Sequence, residues 1–229
     1  MFSLHGYGPS IFEGTILTLE VSLVSLFLAM MLGMGGALAK LSRSAVLRGL
    51  ATLYTTVIRG IPDLVLMLLV FFGGQVFVNQ MGPVFGYDEY IDINPFIAGV
   101  LTIGFIFGAY MTETFRGAII AVNRGQLEAG YAYGMSSFMV FRRILFPQMV
   151  RHALPGFGNN WLVLVKTTAL VSIIGLDDMV RKASMAAGAT RMPFTFYVVV
   201  AINFLLITTV SIYLLKYLEE RYSLGVRRD

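Results

Sequence analysis

Apolar runs and short charged stretches alternate along this chain. Five runs, at about residues 11–39, 53–78, 96–122, 154–176 and 194–218, hold few charged side chains. Each is long enough to cross the roughly 30 Å hydrocarbon core as a helix. None shows the alternating polarity, over about 9–11 positions, of a barrel strand. Backbone groups in lipid must pair within their own segment, so the runs are predicted to be helices. The pattern predicts an all-α integral membrane protein with five transmembrane helices and a single transmembrane domain over residues 1–229. Within the second run, Pro62 cannot donate to the Ile58 carbonyl, which predicts a kink beside Asp63 with polar backbone exposed.

The charges between the runs orient the chain. Lys40, Arg43 and Arg48 follow the first run, and Arg124, Arg142, Arg143 and Arg151 lie between the third and fourth. Lys216, Arg221, Arg227 and Arg228 close the chain, so eleven basic residues fall on one side. The other side holds three, Arg181, Lys182 and Arg191, together with the acids Asp88, Glu89 and Asp92. The excess places the C-terminus in the cytoplasm and the N-terminus outside.

Composition sharpens this picture. Hydrophobic residues make up 57% and charged residues 13% of the 229, about half the charge of a soluble domain. With no cysteine, disulfides, thiol catalysis and cysteine-based metal sites are excluded. His5 and His152 lie too far apart in sequence to suggest a metal site. The net charge of +4 reads as positive-inside loops, with no nucleic acid as partner. The N-terminus lacks a basic leader, and the first run exceeds a signal-peptide core, so it is read as a retained span.

The segment EAGYAYGMSSFMVFRRILFP, residues 128–147, stands apart. Residues 126–133 are predicted to be a helix bearing the small residues Ala129, Gly130 and Ala132. Gly134 can adopt the positive φ that ends a helix, and Ser136 or Ser137 can cap the next. A second helix over 137–146 is expected to stop at Pro147. The prediction is a cytoplasmic helix–turn–helix at about residues 123–150.

This segment resembles the EAA loop of permease subunits in ATP-binding-cassette importers. The family pattern is Glu-Ala-Ala, three residues, Gly, nine residues, Ile, one residue, Leu-Pro. Glu128, Ala129, Gly134, Ile144 and Pro147 match it in identity and spacing, while Gly130 replaces Ala and Phe146 replaces Leu. Residues 54–73, 108–130 and 154–176 resemble the polar amino-acid branch, within it the permeases for histidine, lysine, arginine and ornithine. The likeness covers roughly residues 10–228. It implies a type I importer permease in the bacterial inner membrane, working by alternating access. It also implies a second permease subunit, identical or homologous, two ATPase subunits that dock on the loop, and a periplasmic amino-acid binding protein. The chain has no G-x-x-x-x-G-K-[ST] phosphate loop. It is therefore read as a transport subunit without enzymatic activity or cofactor of its own, ATP and magnesium belonging to the partner ATPase.

Charges inside the spans are the candidates for a substrate path, because ionisable groups in lipid usually face a cavity or a partner. They are Glu20, Asp63, Glu113 and Lys166, with Thr167 beside the lysine. Lys166 lies near the middle of the fourth run and needs an anion: Asp63, Glu113, Glu20 or a substrate carboxylate. Glu113 and Arg116 are three apart on a helix and can simply pair. Three acids against one base favour a basic amino acid. Gly33, Gly36 and Ala37 in the first run, and Gly104 and Gly108 in the third, read as packing sites. The stretch 177–193 can form a short outer surface helix meeting the binding protein, or serve only as a connection. Two other readings remain open at this level: an ion-coupled secondary transporter, and a passive structural membrane subunit.

Overall fold

In the computed structural model, which describes residues 4–87 and 89–223, two glycine-bearing helices form the central seam. Helix α1 (Gly8–Leu41) lies along helix α4 (Pro95–Ala121). Gly33 faces Met111, Gly36 faces Thr112, Gly104 faces Leu28, and Gly108 faces Leu32 and the Tyr54 hydroxyl. A β-carbon on Gly33 would collide with the Met111 β-carbon and lie 3.0 Å from its carbonyl carbon. Backbone cannot swing aside, so the approach requires glycine. The two stripes of small residues thus pack on each other, gaining dispersion contact where lipid offers no hydrophobic drive. Buried hydroxyls in the seam are satisfied locally: Thr18, Ser22 and Thr112 donate to carbonyls four residues back at 2.7–2.8 Å.

Helices α2 (Ala45–Gly60) and α3 (Asp63–Met81) follow α1. After a 3-10 turn (Gly82–Phe85) and α4 come α5 (Arg124–Ala132), α6 (Ser137–Val140), a π-helical segment (Phe141–Leu145) and α7 (Phe146–Thr167). A second 3-10 turn (Thr168–Ser172), α8 (Met179–Thr190) and α9 (Pro193–Ser223) complete the described order, in which no strand occurs. Asp88, Arg227 and Arg228, which entered the charge argument, lie outside the described residues.

Among the described residues, four helices are long and apolar enough to cross a membrane: Gly8–Leu41, Asp63–Phe85, Pro95–Ala121 and Pro193–Tyr222. Two of the expected runs differ from prediction. The second is two helices rather than one kinked span. Pro62 removes a donor and forces Ile61 into extended geometry (φ −110°, ψ 137°), so the chain breaks before α3 begins. The fourth run does not begin its own helix at 154, since α7 already starts at Phe146. Pro147 does not stop the preceding helix, because it sits in the first turn of α7, where a missing N–H is harmless. In the π turn just before it the Phe146 N–H reaches back five residues to the Phe141 carbonyl. Helical structure therefore continues from Ser137 to Thr167, and the 3-10 turn takes over from there.

The 177–193 stretch folds as α8, packed inward rather than lying free. Met179, Ala183, Ala186 and Ala187 join Ile11 of α1 and Phe196 of α9 in a second core. A β-carbon on Gly14 would lie 2.8 Å from the Asp178 backbone, which shows how closely α8 is seated on α1. Asp178 caps α8 by accepting the Arg181 N–H at 2.9 Å on Oδ1, while its fully buried Oδ2 has no partner. Burial pushes this carboxyl, which lies outside the crossing helices, up to about 6. Because the folded value is raised, charging Asp178 opposes folding. The cost is absent below the ordinary carboxylate range, grows as pH rises from about 4, and is complete above about 6. Asp178→Asn keeps the cap acceptor and removes the charge. It is expected to stabilise the protein at pH 7.5 by roughly 2 kcal/mol and to flatten the loss of thermal stability between pH 4 and 7. Melting curves of the detergent-purified protein across that range test this; a lower melting temperature for the variant at pH 7.5 would refute it.

Candidate functional site

The 124–147 segment is built by a helix that ends on glycine. Asn123 caps α5, its side chain accepting the Gly125 N–H at 2.8 Å. At the other end Gly134 takes φ +78°. The Met135 N–H reaches the Gly130 carbonyl at 3.1 Å, and the Gly134 N–H reaches that of Tyr131 at 2.9 Å. These two bonds define a Schellman termination, which favours glycine at the left-handed position. Ser136 caps α6 by accepting the Met139 N–H at 3.4 Å. Gln148 of α7 donates to Gln126 of α5 at 2.5 Å, tying the two arms together. The predicted helix, glycine turn and serine cap are all present.

Gly130 faces inward. A β-carbon there would lie 2.7 Å from Ile144 Cδ1 and 3.2 Å from Val140 Cγ2. The departure from alanine thus makes room for Ile144, itself one of the spaced motif positions. Glu128, Ala129, Gly134 and Pro147 are exposed. A β-carbon on Gly134 would meet nothing within 4 Å. The aromatics of this face did not stand out in the sequence: Tyr133 is 88% and Phe138 69% exposed, with Tyr131 and Phe141 also outside. Their signal was the crowding of four aromatics into a short segment that is not a span. Together they form an exposed aromatic patch, larger than scattered single apolar residues on a surface.

The predicted intramembrane charges do not gather at one point. Glu113 of α4 accepts from Lys40 of α1 and, at 3.0 Å, from Arg116. The local Glu113–Arg116 pair is therefore present, with Lys40 added. Asp63 sits half-buried at the first turn of α3, directly after the break. Glu20 is exposed on α1 and lines an open cleft of about 370 Å³ with Glu13, Asp177 and Lys182. Lys166 is exposed in the last turn of α7. Among the described residues it makes no ion pair with Asp63, Glu113 or Glu20. Thr167 turns the other way, buried, with its hydroxyl donating to the Val163 carbonyl at 3.1 Å. It does not share the exposed face of Lys166.

That face has its own composition. Outside its first two residues, the exposed positions of α7 are His152, Pro155, Asn159, Val163 and Lys166, spaced three or four apart in one stripe. Asn160 points inward instead, its amide donating to Thr114 Oγ1 at 3.0 Å. Three of these five side chains, His152, Asn159 and Lys166, are polar.

Known proteins share this chain's sequence and fold. The Histidine/lysine/arginine/ornithine transport system permease protein HisQ of Salmonella typhimurium is 51% identical over 225 residues, covering 98% of both chains. The Octopine transport system permease protein OccQ of Rhizobium meliloti is 41% identical, covering 99% of this chain and 96% of its own. A crystal structure of an amino acid ABC transporter with histidines superposes with a TM-score of 0.80 at 32% identity, over 94% of this chain and 95% of that one. Residues 25–224 match the family described as binding-protein-dependent transport system inner membrane component. The helical fold and these likenesses in sequence and structure agree: the chain belongs to that family of inner-membrane permeases.

Proposed function

We propose that this chain is the membrane-spanning subunit of an ATP-driven importer of basic amino acids. The observation that carries the proposal is the 124–147 segment: its spaced glutamate, glycine, isoleucine and proline lie on two short arms about a Schellman turn, with aromatics outward. That form suits a cleft in a separate ATPase subunit, whose closure would move α7 directly, since α6, the π segment and α7 are continuous. Residues 154–172, part α-helix and part 3-10 helix, extend about 31 Å, enough for a fifth crossing. The charge asymmetry of the loops supports an outer N-terminus and a cytoplasmic C-terminus.

The substrate class follows from relatives named for histidine, lysine, arginine and ornithine. The acids Glu20 and Asp63 suit a cationic side chain, while Lys166, unpaired within the described part of this chain, suits the substrate carboxylate. A second permease subunit would close the path against the exposed stripe of α7, and a periplasmic binding protein would deliver the amino acid. In liposomes holding the permease pair, the ATPase and the binding protein, arginine uptake is expected to require internal ATP. It should continue when ionophores collapse the proton and sodium gradients. Uptake that stops with the gradients would replace this reading with an ion-coupled carrier.

A further inference from the structure

Lys40, Arg48 and Arg116 line one open cleft of about 510 Å³ between α1, α2 and α4, with Ala45, Gly49 and Thr52 completing its wall. No lining side chain carries a negative charge. Glu113 behind it holds Lys40 and Arg116 in place, leaving the group of four with two positive charges in excess. Arg48 is fixed as well, donating from Nη1 to the Ser42 and Arg43 carbonyls at 3.0 and 2.9 Å. The guanidinium is thus oriented before any ligand arrives. Ala45 is the first residue of the sixteen-residue α2, so the positive end of that helix dipole also borders the cleft. A β-carbon on Gly49 would meet nothing within 4 Å, which leaves the floor open.

The level of the cleft narrows the choice of anion. Lys40 stands in the last turn of α1 and Arg48 in the first turn of α2, where the apolar run gives way to polar residues. On the same helices, next to the lining residues, Leu38, Leu50 and Leu53 are 58%, 60% and 61% exposed. Cationic donors at a membrane interface, bordered by outward apolar side chains, match a phosphodiester headgroup with its acyl chains alongside. We propose that this cleft binds the headgroup of an anionic phospholipid. The leaflet is the inner one under the orientation proposed above, and only that assignment depends on it.

Native mass spectrometry of the intact transporter with added phosphatidylglycerol, phosphatidylcholine or inorganic phosphate provides the test. Phosphatidylglycerol is expected to be retained in preference to phosphatidylcholine. Arg48→Gln should weaken its binding by roughly fivefold, the effect of one basic group at a membrane surface. Arg48→Lys should retain most of it, and Thr52→Glu, which places a carboxylate in the cleft, should reduce it without removing any cation. Arg43→Gln, outside the cleft, should change little. Equal retention of the two lipids, or equal loss with Arg43→Gln and Arg48→Gln, would overturn the site. So would full competition by inorganic phosphate, which indicates a soluble anion. Phosphatidylglycerol retained only after the ATPase is removed would also overturn it, by identifying an acidic protein face as the occupant. Lipid retention is read without transport, so it stands or falls separately from the importer reading. Because the chain has no cysteine, labelling Ser42→Cys with an impermeant maleimide reports the leaflet independently.

Discussion

Lys166→Met is expected to reduce amino-acid uptake by roughly ten- to a hundredfold, the worth of one hydrogen bond between charged groups, with assembly near normal. Lys166 is exposed on α7 and has no ion pair within the described chain, so its replacement leaves no buried acid behind in this subunit. The loss should therefore fall on whatever reaches the stripe during transport. Lys166→Arg, which keeps the charge on a bulkier head, is expected to recover part of the activity, and Asn159→Ala on the same stripe to lower it less. Uptake should be measured beside co-purification of the second permease and the ATPase. Normal uptake by fully assembled Lys166→Met would remove this residue from the path. Loss of the second permease from the complex would make the lysine an interface residue.

Gly134→Arg is expected to detach the ATPase and abolish ATP-dependent uptake, while the chain remains in the membrane. Two effects add. A non-glycine residue at φ +78° strains the Schellman turn by roughly 1–2 kcal/mol. A long cationic side chain then projects from a position with open space around it, into the surface a docked subunit would occupy. Gly134→Ala carries the strain without the bulk and should retain most of the binding. A pull-down in mild detergent, with partners identified by mass, separates these outcomes. If Gly134→Arg keeps its full complement of ATPase, the 124–147 segment is not the docking element.

Particular residues show what was legible in advance. The turn at Gly134 and a serine cap, at Ser136 or Ser137, were readable because local chemistry decides them: a positive φ favours glycine, and a free N–H needs a nearby oxygen. The Glu113–Arg116 pair was readable from helical spacing, whereas Lys40, 73 residues away, was not. Pro62 marked a disturbance correctly but not its extent. Whether a proline kinks a helix or ends it depends on what the flanking turns pack against, and here α2 and α3 separate. Pro147 misled for the opposite reason: the same missing N–H is harmless in a first turn, and which turn is first was settled by the π segment before it. Thr167, about 100° round the helix from Lys166, was expected to edge one cavity with it; that angle instead puts one inside and the other outside.

The sequence by itself determined the all-helical membrane class of the molecule, most of its apolar helices, the orientation its loop charges favour and the helix–glycine turn–helix of residues 124–147, because each depends on composition or on spacing within a few residues. The tertiary structure alone decided that the glycines of α1 and α4 are seated on each other. It also decided that Gly130 yields space to Ile144, that one face of α8 is buried against the N-terminal end of α1, and that the exposed stripe of α7 carries Asn159 and Lys166 but not Thr167. These depend on which helix faces meet, and helix contacts between distant segments are set by the shapes of both surfaces at once, which no single stretch of sequence contains.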